Sequence, residues 1–455
     1  MKSNIMNNLS RRTFIARSAA VAAGAVIFPG LSACKPGKVN IAFIGVGGRA
    51  QDHFSDCVNE NVVALCDVSE PAAAEGFKAF PKARRFKDFR VMFDKMAHEI
   101  DAVIVATPDH VHFPAAMAAM QLGKHVYVEK PLAHNIWQIR TLRKAAQHYN
   151  VINTMGIQGH ATMGIRYVKE WYEAGILGDV KEVFAWLEGP QFDPKGYFIK
   201  PDSYPPVGEP VPADLDWDLW QGPAKERAYS AKYLPRFWRG WYELGDGVLG
   251  DWGCHTLDAP NWSLDLGLPL SVTPLLRPSS PDGFIPDKSS LKFEFAARGI
   301  KPPVTLTWMD GGEKPENRPE WGLKEMPGRG MIMVGSKVSL LTGGRPASPK
   351  LLIPDAEWDH FTKNLPKETI PRVEGGPIAE WIRAIKGTGP IPGANFEYSA
   401  PLSELNAVGI LAQRLNTRIE YDAINMKVKD HPEFDQFIKE PVRDGWSYGE
   451  DLWRS

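Results

Sequence analysis

A glycine turn set between two apolar runs constrains this chain more than any other feature. Residues 39–44 and 62–66 are apolar apart from Asn40, and Gly45-Val46-Gly47-Gly48-Arg49-Ala50 follows the first of them. Asp67 closes the second. Short apolar runs bounded by turn residues read as buried strands, and the turn opens a helix at Arg49 and Ala50. In a strand–turn–helix unit of this kind Gly45 allows a sharp reversal and Gly47 lets the backbone approach a pyrophosphate. Ala50 fills the third glycine position, where only a small residue lets helix and strand pack closely. The amides of Gly48 and Arg49, at the helix start, would face the phosphates. Asp67, about 20 residues on, would accept from the adenosine ribose and repel a 2′-phosphate, which favours NAD over NADP. Arg49 is the residue that could turn toward a 2′-phosphate instead.

The chain has 455 residues, more than one ordinary domain needs, so two folded domains are expected. A formal net charge of −1 gives no pointer to a nucleic-acid partner or to a basic membrane-binding face. Local signals decide the destination. Ser10-Arg11-Arg12-Thr13-Phe14-Ile15 precedes an uncharged run over 18–33 that ends Leu31-Ser32-Ala33-Cys34. Gly24, Pro29 and Gly30 interrupt that run, and it falls short of the ~20 apolar residues that span a bilayer. Residues 1–34 therefore read as a twin-arginine (Tat) export signal whose end resembles the bacterial lipoprotein box. On that reading Cys34 carries a lipid anchor and the mature protein is periplasmic. Cys57, Cys66 and Cys254 remain, an odd number without metal-finger spacing, so no structural disulfide is expected.

After Asp67 strands and helices alternate. Residues 71–80 and 89–97 read as helices, 102–106 as a strand buried on both faces, and 125–129 and 151–155 as further strands. Helices fill 114–122 and 137–149 between them. Such alternation predicts a doubly wound parallel sheet, a Rossmann domain over 38–156. Thr107-Pro108-Asp109-His110-Val111-His112 and Glu129-Lys130-Pro131 stand at the carboxyl ends of two of its strands, where such sheets bind ligands.

The order GVGGRA, ATPDHVH, GKHVYVEKPL closely resembles the Gfo/Idh/MocA family of sugar and cyclitol oxidoreductases. The family pattern Thr-Pro-Asn-x-x-His appears as Thr107-Pro108-Asp109 with His112 in the histidine place, aspartate replacing asparagine. Glu129-Lys130-Pro131 matches without change. The resemblance implies that Lys130 lies beside the nicotinamide and the reacting hydroxyl, with Thr107, Pro108, His112 and Glu129 around the cofactor. An ammonium there would stabilise negative charge on oxygen as the proton leaves.

Residues 157–455 read as a second, α+β domain for substrate binding and oligomer contacts. A helix over 165–174 and a strand over 180–187 lead into a Pro-rich passage with Trp217, Trp220, Trp238, Trp241 and Tyr242. Those aromatics read either as sugar-stacking surfaces or as a packed lid. Asp251 and His255 follow, four apart, on one face of a helix, and they match the family's glycine-rich run into Asp-x-x-x-His; Asp246 replaces a glycine common there. Alternating segments over 291–295, 304–309 and 331–341 predict an open, mainly antiparallel sheet, and 378–385 and 400–415 read as helices packing back on the structure. The Pro/Trp-rich insert and the Gly/Trp-rich tail resemble the Bacteroidetes-type branch.

The resemblance implies an NAD-dependent oxidation of a sugar hydroxyl in which His255 takes the proton, Lys130 stabilises the alkoxide and Asp251 orients the imidazole. It also implies a carbohydrate substrate and a homo-oligomer. A metal site on Asp251 and His255 with His110 and His112 is a rival, but alcohol oxidation by NAD needs a base and no metal. An NAD-dependent glycosidase is the runner-up, although the Gly-His-Gly-Gly signature of those enzymes is absent. A silent sugar-binding lipoprotein is a third reading.

Overall fold

The computed structural model describes residues 37–429, 431–447 and 452–453. The expected export signal with Cys34 lies outside these residues. Strands β1 (Asn40–Ile44), β2 (Asn61–Cys66), β3 (Arg84–Phe86), β4 (Ala102–Val105), β5 (His125–Glu129) and β6 (Asn153–Gly156) form one six-stranded sheet in the order β3-β2-β1-β4-β5-β6. Every pairing in it is parallel. This is the doubly wound sheet that the alternation predicts. The order reverses between β1 and β4, which opens a crevice beyond their carboxyl ends. β3 is too short and too charged to show in the sequence.

Side chains alternate across β1. Ala42 and Ile44 pack to one side, with the Asp109–Gln121 and Ile136–His148 helices, while Ile41 and Phe43 pack to the other. That second side is covered by Ile378, Trp381, Ile382 and Ile385 of the Gly376–Ile385 helix. The division at residue 157 therefore separates the two sheets but not the two cores. Caps set several helix starts: Ser69, Asp88, Asn135 and Asn395 each accept a hydrogen bond from an amide of the first turn.

Nine strands make the second sheet. β7 (Val180–Trp186) and β10 (Val304–Asp310) pair in parallel, and the other pairings are antiparallel. β8 (Ser271–Leu276), β9 (Ser289–Phe295), β11 (Gly330–Gly335), β12 (Leu340–Thr342), β13 (Lys350–Leu351), β14 (Ile419–Asp422) and β15 (Lys427–Val428) complete the order β13-β12-β11-β7-β10-β9-β8-β14-β15. Trp321 and Met326 cover part of its outer face against Trp186 and Ile332. Between β7 and β8 the Pro-rich passage holds only short turns of helix until the Gly247–Thr256 helix begins.

The Phe396–Leu415 helix joins the halves. It lies against the Ile136–His148 helix on one side and the Gly247–Thr256 helix on the other. Ser403 Oγ accepts from the Leu132 amide at 3.2 Å, and Asn406 Nδ2 donates to Cys254 Sγ at 3.2 Å. One helix thus ties down the neighbours of both Lys130 and His255. A Cβ at Gly253 would come within 2.3 Å of Asn406 Oδ1, so glycine is what lets these helices cross so closely. Cys57, Cys66 and Cys254 are free and buried. Among the described residues no helix is long and apolar enough to cross a membrane.

Candidate active site

The crevice predicted from the strand order is a cleft of about 1050 Å³, floored by the first sheet and roofed by the Pro-rich passage. Ligand sites run to roughly 300–1,000 Å³ for a drug-sized molecule, so this one has room for a cofactor and a substrate together.

At one end lies the glycine turn. Gly45 adopts φ +80°, and a Cβ there would sit 2.7 Å from the Ala106 carbonyl. Only glycine fits where the chain passes the end of β4. Gly47 lines the cleft and has a second reason beside the expected one. Its Cβ would meet Ala72 Cβ at 2.9 Å, so the missing side chain serves contact with the Glu70–Ala79 helix. Gly48 is at φ +51° and faces open space. The turn continues as a 3-10 helix, Gly48–His53, not directly as an α-helix. Ala50 is fully buried in the core beneath it, which agrees with close packing but keeps it from the cleft.

Asp67 closes the turn onto β2. Its carboxylate accepts from the amides of Val46 (2.8 Å), Gly47 (3.3 Å) and Ser69 (2.9 Å). A carboxylate has about four acceptor positions, so roughly one remains for a ribose hydroxyl. Burial pushes this carboxyl up, and the backbone bonds oppose the rise. Arg49 does not turn toward the adenosine end. Its Nε lies 3.2 Å from Glu129 Oε1 and its Nη1 pairs with Asp52.

Glu129 ends β5. His53 Nε2 lies 2.7 Å from its Oε1, while Oε2 is buried without a partner. Burial works to raise the Glu129 carboxyl, but His53, Arg49 and Lys130 draw it down to about 2. The strand end of β6 makes room for it, since a Cβ at Gly156 would lie 2.7 Å from Oε1.

Lys130 is the next residue, and its ammonium crosses to the second domain. Nζ donates to Asp251 Oδ1 and to the Asp251 carbonyl, both at 2.6 Å. Burial would raise the Asp251 carboxyl, yet Lys130 and Arg239 beside it hold it far below the usual range. Asp251 therefore orients Lys130, a correction to its expected role on the imidazole. His255, one helical turn on, lines the same cleft; it is 1% exposed and its Nδ1 has no partner. Burial first, then Lys130 and Arg345, keep its ring neutral well below the ordinary imidazole range. The structure thus brings Lys130, Asp251 and His255 to one wall.

His112 is spent on architecture. Its Nδ1 faces the Pro131 carbonyl at 2.7 Å and its Nε2 the Thr107 carbonyl at 2.9 Å, so the imidazole ties the two strand ends together at the edge of the cleft. His110 lies between the carbonyls of Leu244 and Trp220 at 3.0 Å each, and since burial draws its pKa down to about 3 the neutral ring donates to one of them. Among the described residues no three His, Cys, Asp or Glu side chains gather as a metal site would require. Thr107 and Pro108 line the cleft, with Thr107 Oγ1 buried and unpartnered. All four residues from Asp109 to His112 belong to a helix that begins at Asp109, five residues before Pro114.

Of the five aromatics in the Pro-rich passage, only Trp220 and Trp238 line the cleft. Trp217 stacks on Trp220 at 4.7 Å, and Trp241 packs on Phe284 at 4.9 Å. The passage is a packed lid. Tyr197, Arg239, Trp252 and Arg345 also line the cleft, and sequence reasoning missed them all. None stands in a periodic pattern; Arg345 follows a glycine pair and Arg239 lies within Trp-Arg-Gly-Trp, which mark turns and nothing more.

The site suits a dinucleotide. Thr107 Oγ1, Glu129 Oε2 and His255 Nδ1 are buried polar atoms that no protein group satisfies, and they share this cleft with the glycine turn. Residues 39–157 match the family described as "Oxidoreductase family, NAD-binding Rossmann fold" (GFO_IDH_MocA). Residues 162–273 match its "C-terminal alpha/beta domain" (GFO_IDH_MocA_C2), and the two matches together take in just over half of the chain. Levoglucosan dehydrogenase of Pseudarthrobacter phenanthrenivorans is 28% identical over 26% of this chain and 29% of its own length. Alpha-N-acetylgalactosaminidase of Shewanella oneidensis is 32% identical over 30% of this chain and 37% of its own. The chain thus spans about a third of the length of these curated relatives. The WlbA dehydrogenase of Bordetella pertussis, solved with NADH and UDP-GlcNAcA, shares the fold at TM-score 0.57 and 18% identity, over 85% of this chain and 99% of that one.

Proposed function

Because the chain belongs to the Gfo/Idh/MocA oxidoreductase family, we propose that it oxidises a hydroxyl of a sugar or glycoside to a ketone, with NAD held in the cleft. The observation that carries this reading is the pairing of Lys130 with Asp251 across the two domains beside the unpartnered Nδ1 of a neutral His255. Bound NAD supplies the hydride acceptor, so the carbon loses its C–H electron pair to the cofactor and its O–H proton to the protein. His255 takes that proton, since a buried neutral imidazole is the free base already. Lys130 sits where charge grows on oxygen and stabilises it, an effect strengthened by the low dielectric of the lidded cleft. Asp251 holds the ammonium in place. Gly45, Gly48, Asp67, Thr107, Pro108 and Glu129 would hold the cofactor, and Trp220 and Trp238 keep water out.

Replacing His255 or Lys130 by Ala tests the assignment in single turnover. General acid–base groups contribute about 10²–10⁴-fold, so a loss of that size in the rate of nucleotide reduction is expected, with the bound nucleotide retained. An unchanged rate in either variant removes that residue from the mechanism.

The similarity to alpha-N-acetylgalactosaminidases supports a second reading. The transient ketone acidifies the neighbouring C–H, whose proton leaves as the glycosidic oxygen departs; water then adds and the hydride returns. Glycoside cleavage without net reduction selects this course, and a free keto-sugar selects the first.

Export belongs to the same proposal. Arg11-Arg12 and the Leu-Ser-Ala-Cys stretch ending at Cys34 support a Tat lipoprotein of the Bacteroidetes-type branch, anchored to a membrane in the periplasm. A Tat substrate crosses folded, so the nucleotide enters before export and is re-oxidised where it sits. The homo-oligomer expected from the family is part of this reading too.

A further inference from the structure

Six acidic and six basic side chains line the cleft, but they are not evenly paired around the reactive wall. Lys130 is taken by Asp251 at 2.6 Å, and Arg49 is taken by Glu129 at 3.2 Å and by Asp52. Arg239 lies 3.4 Å from Asp251 Oδ1, the oxygen that already receives Lys130. Arg236 and Arg345 line the same cleft, and among the described residues neither guanidinium has a carboxylate within ion-pair distance. Each rests on a ring instead, Arg345 on Trp252 at 4.9 Å and Arg236 on Tyr197 at 5.2 Å. Asp251 thus faces a lysine and an arginine directly, the buried Asp109 carboxyl feels the same two cations, and two exposed arginines on the cleft wall have no ion pair among the described residues.

Arg345 is placed with care. Thr256 Oγ1 donates to the Gly344 carbonyl at 3.0 Å, fixing the residue before it to the His255 helix. Pro346, the residue after it, packs so closely on Gly159 that a Cβ there would lie 2.8 Å from the ring. Backbone anchors on both sides, with no counter-ion, hold a cation beside the proton acceptor. A guanidinium offers a planar fork of donors that matches a carboxylate.

We infer that the substrate is an acidic sugar, and that Arg345, assisted by Arg239, receives its carboxylate while the hydroxyl to be oxidised meets Lys130 and His255. This rests on the redox reading of the same cleft. It makes Arg345 a specificity-determining residue, since a neutral sugar seated there would strip water from this exposed guanidinium without supplying a carboxylate in exchange.

The test uses the full chain with its bound nucleotide and pairs methyl glucuronide with methyl glucoside, and methyl galacturonide with methyl galactoside. Calorimetry reads affinity, and absorbance of the reduced nucleotide reads hydride transfer. At least one acid is expected to bind about tenfold or more tighter than its neutral partner. Arg345→Gln is expected to weaken the acid by about 10- to 100-fold, the scale of a lost charged hydrogen bond, and Arg345→Lys to restore part of it. Nucleotide content serves as the control for folding and cofactor retention. Equal affinity within every pair, no binding of either acid, or an acid preference untouched by Arg345→Gln overturns the inference. So does loss of nucleotide from Arg345→Gln with the acid preference kept, since that assigns the arginine to the cofactor. Reduction by neutral sugars without preference sinks the acidic-sugar inference and leaves the oxidoreductase standing; tight acid binding without reduction does the reverse.

Discussion

At His255 burial and the neighbouring cations push in the same direction, so at neutral pH the ring is uncharged and carries a single N–H. The consequence is a shifted pH profile. In an unfolded chain the ring would take up a proton near pH 6.5; folded, it resists protonation until well below that value. The acid limb of kcat/KM is therefore expected well below the ordinary imidazole range, and the folded state is expected to lose stability as pH falls beneath about 6.5, where only the unfolded ring gains a proton. A profile that bends at pH 6.5 and vanishes in His255→Asn would place the ring in contact with water. Residues on this scale were legible where spacing carries chemistry. Asp251 and His255 four apart, Glu129 and Lys130, and the turn glycines Gly45, Gly47 and Gly48 all line the cleft. His112 and Asp67 show the limit, because the sequence names a side chain but not the backbone groups that will claim it. Arg345 is invisible for the complementary reason: its importance comes from a counter-ion it lacks.

Two helices begin a full turn or more before the sequence suggests, and proline is the cause both times. Pro114 and Pro401 read as first-turn residues, since proline favours that position, yet the helices start at Asp109 and Phe396. Bonds from His110 and His112 to backbone carbonyls secure the extra turn in one, and Asn395, capping the amides of Glu397 and Tyr398, secures it in the other. Interior proline costs a helix several kcal/mol, and local anchors outweigh that cost here. The Phe396–Leu415 helix repays the exception by setting the distance between Lys130 and His255. Gly253 is where this matters most. In an ordinary helix Gly→Ala gains about 1 kcal/mol, but here the new methyl would meet Asn406 Oδ1 at 2.3 Å and Leu249 at 2.9 Å. Gly253→Ala is expected to lose roughly 1–3 kcal/mol, the scale of overpacking, and to slow hydride transfer because His255 lies two residues on. Urea unfolding measures the first and single turnover the second; a variant more stable than the parent would mean the helices part without strain.

Across the whole molecule, the two sheets follow the order of the chain, but the cores do not. The Gly376–Ile385 helix returns to the first sheet and buries Ile378, Trp381, Ile382 and Ile385 against Phe43, Ile104 and Tyr127. Nothing in periodicity says which of two sheets an amphipathic helix will choose, so this long-range contact could not be read beforehand. Its size decides how the protein unfolds. A buried large apolar side chain contributes about 1.5–3 kcal/mol, so the four together supply roughly 6–12 kcal/mol as an upper bound. That rivals the 5–15 kcal/mol typical of an entire domain. Residues 37–157 expressed alone, although they hold all six strands of the first sheet, are therefore expected to lack a cooperative transition and to bind ANS through the uncovered face. The full chain is expected to unfold in one step, with tryptophan fluorescence and far-UV circular dichroism coincident in urea. A fragment that melts sharply and binds no dye would show that the nucleotide half stands without the returning helix, and the contact would then serve only to fix how the halves meet around the cleft.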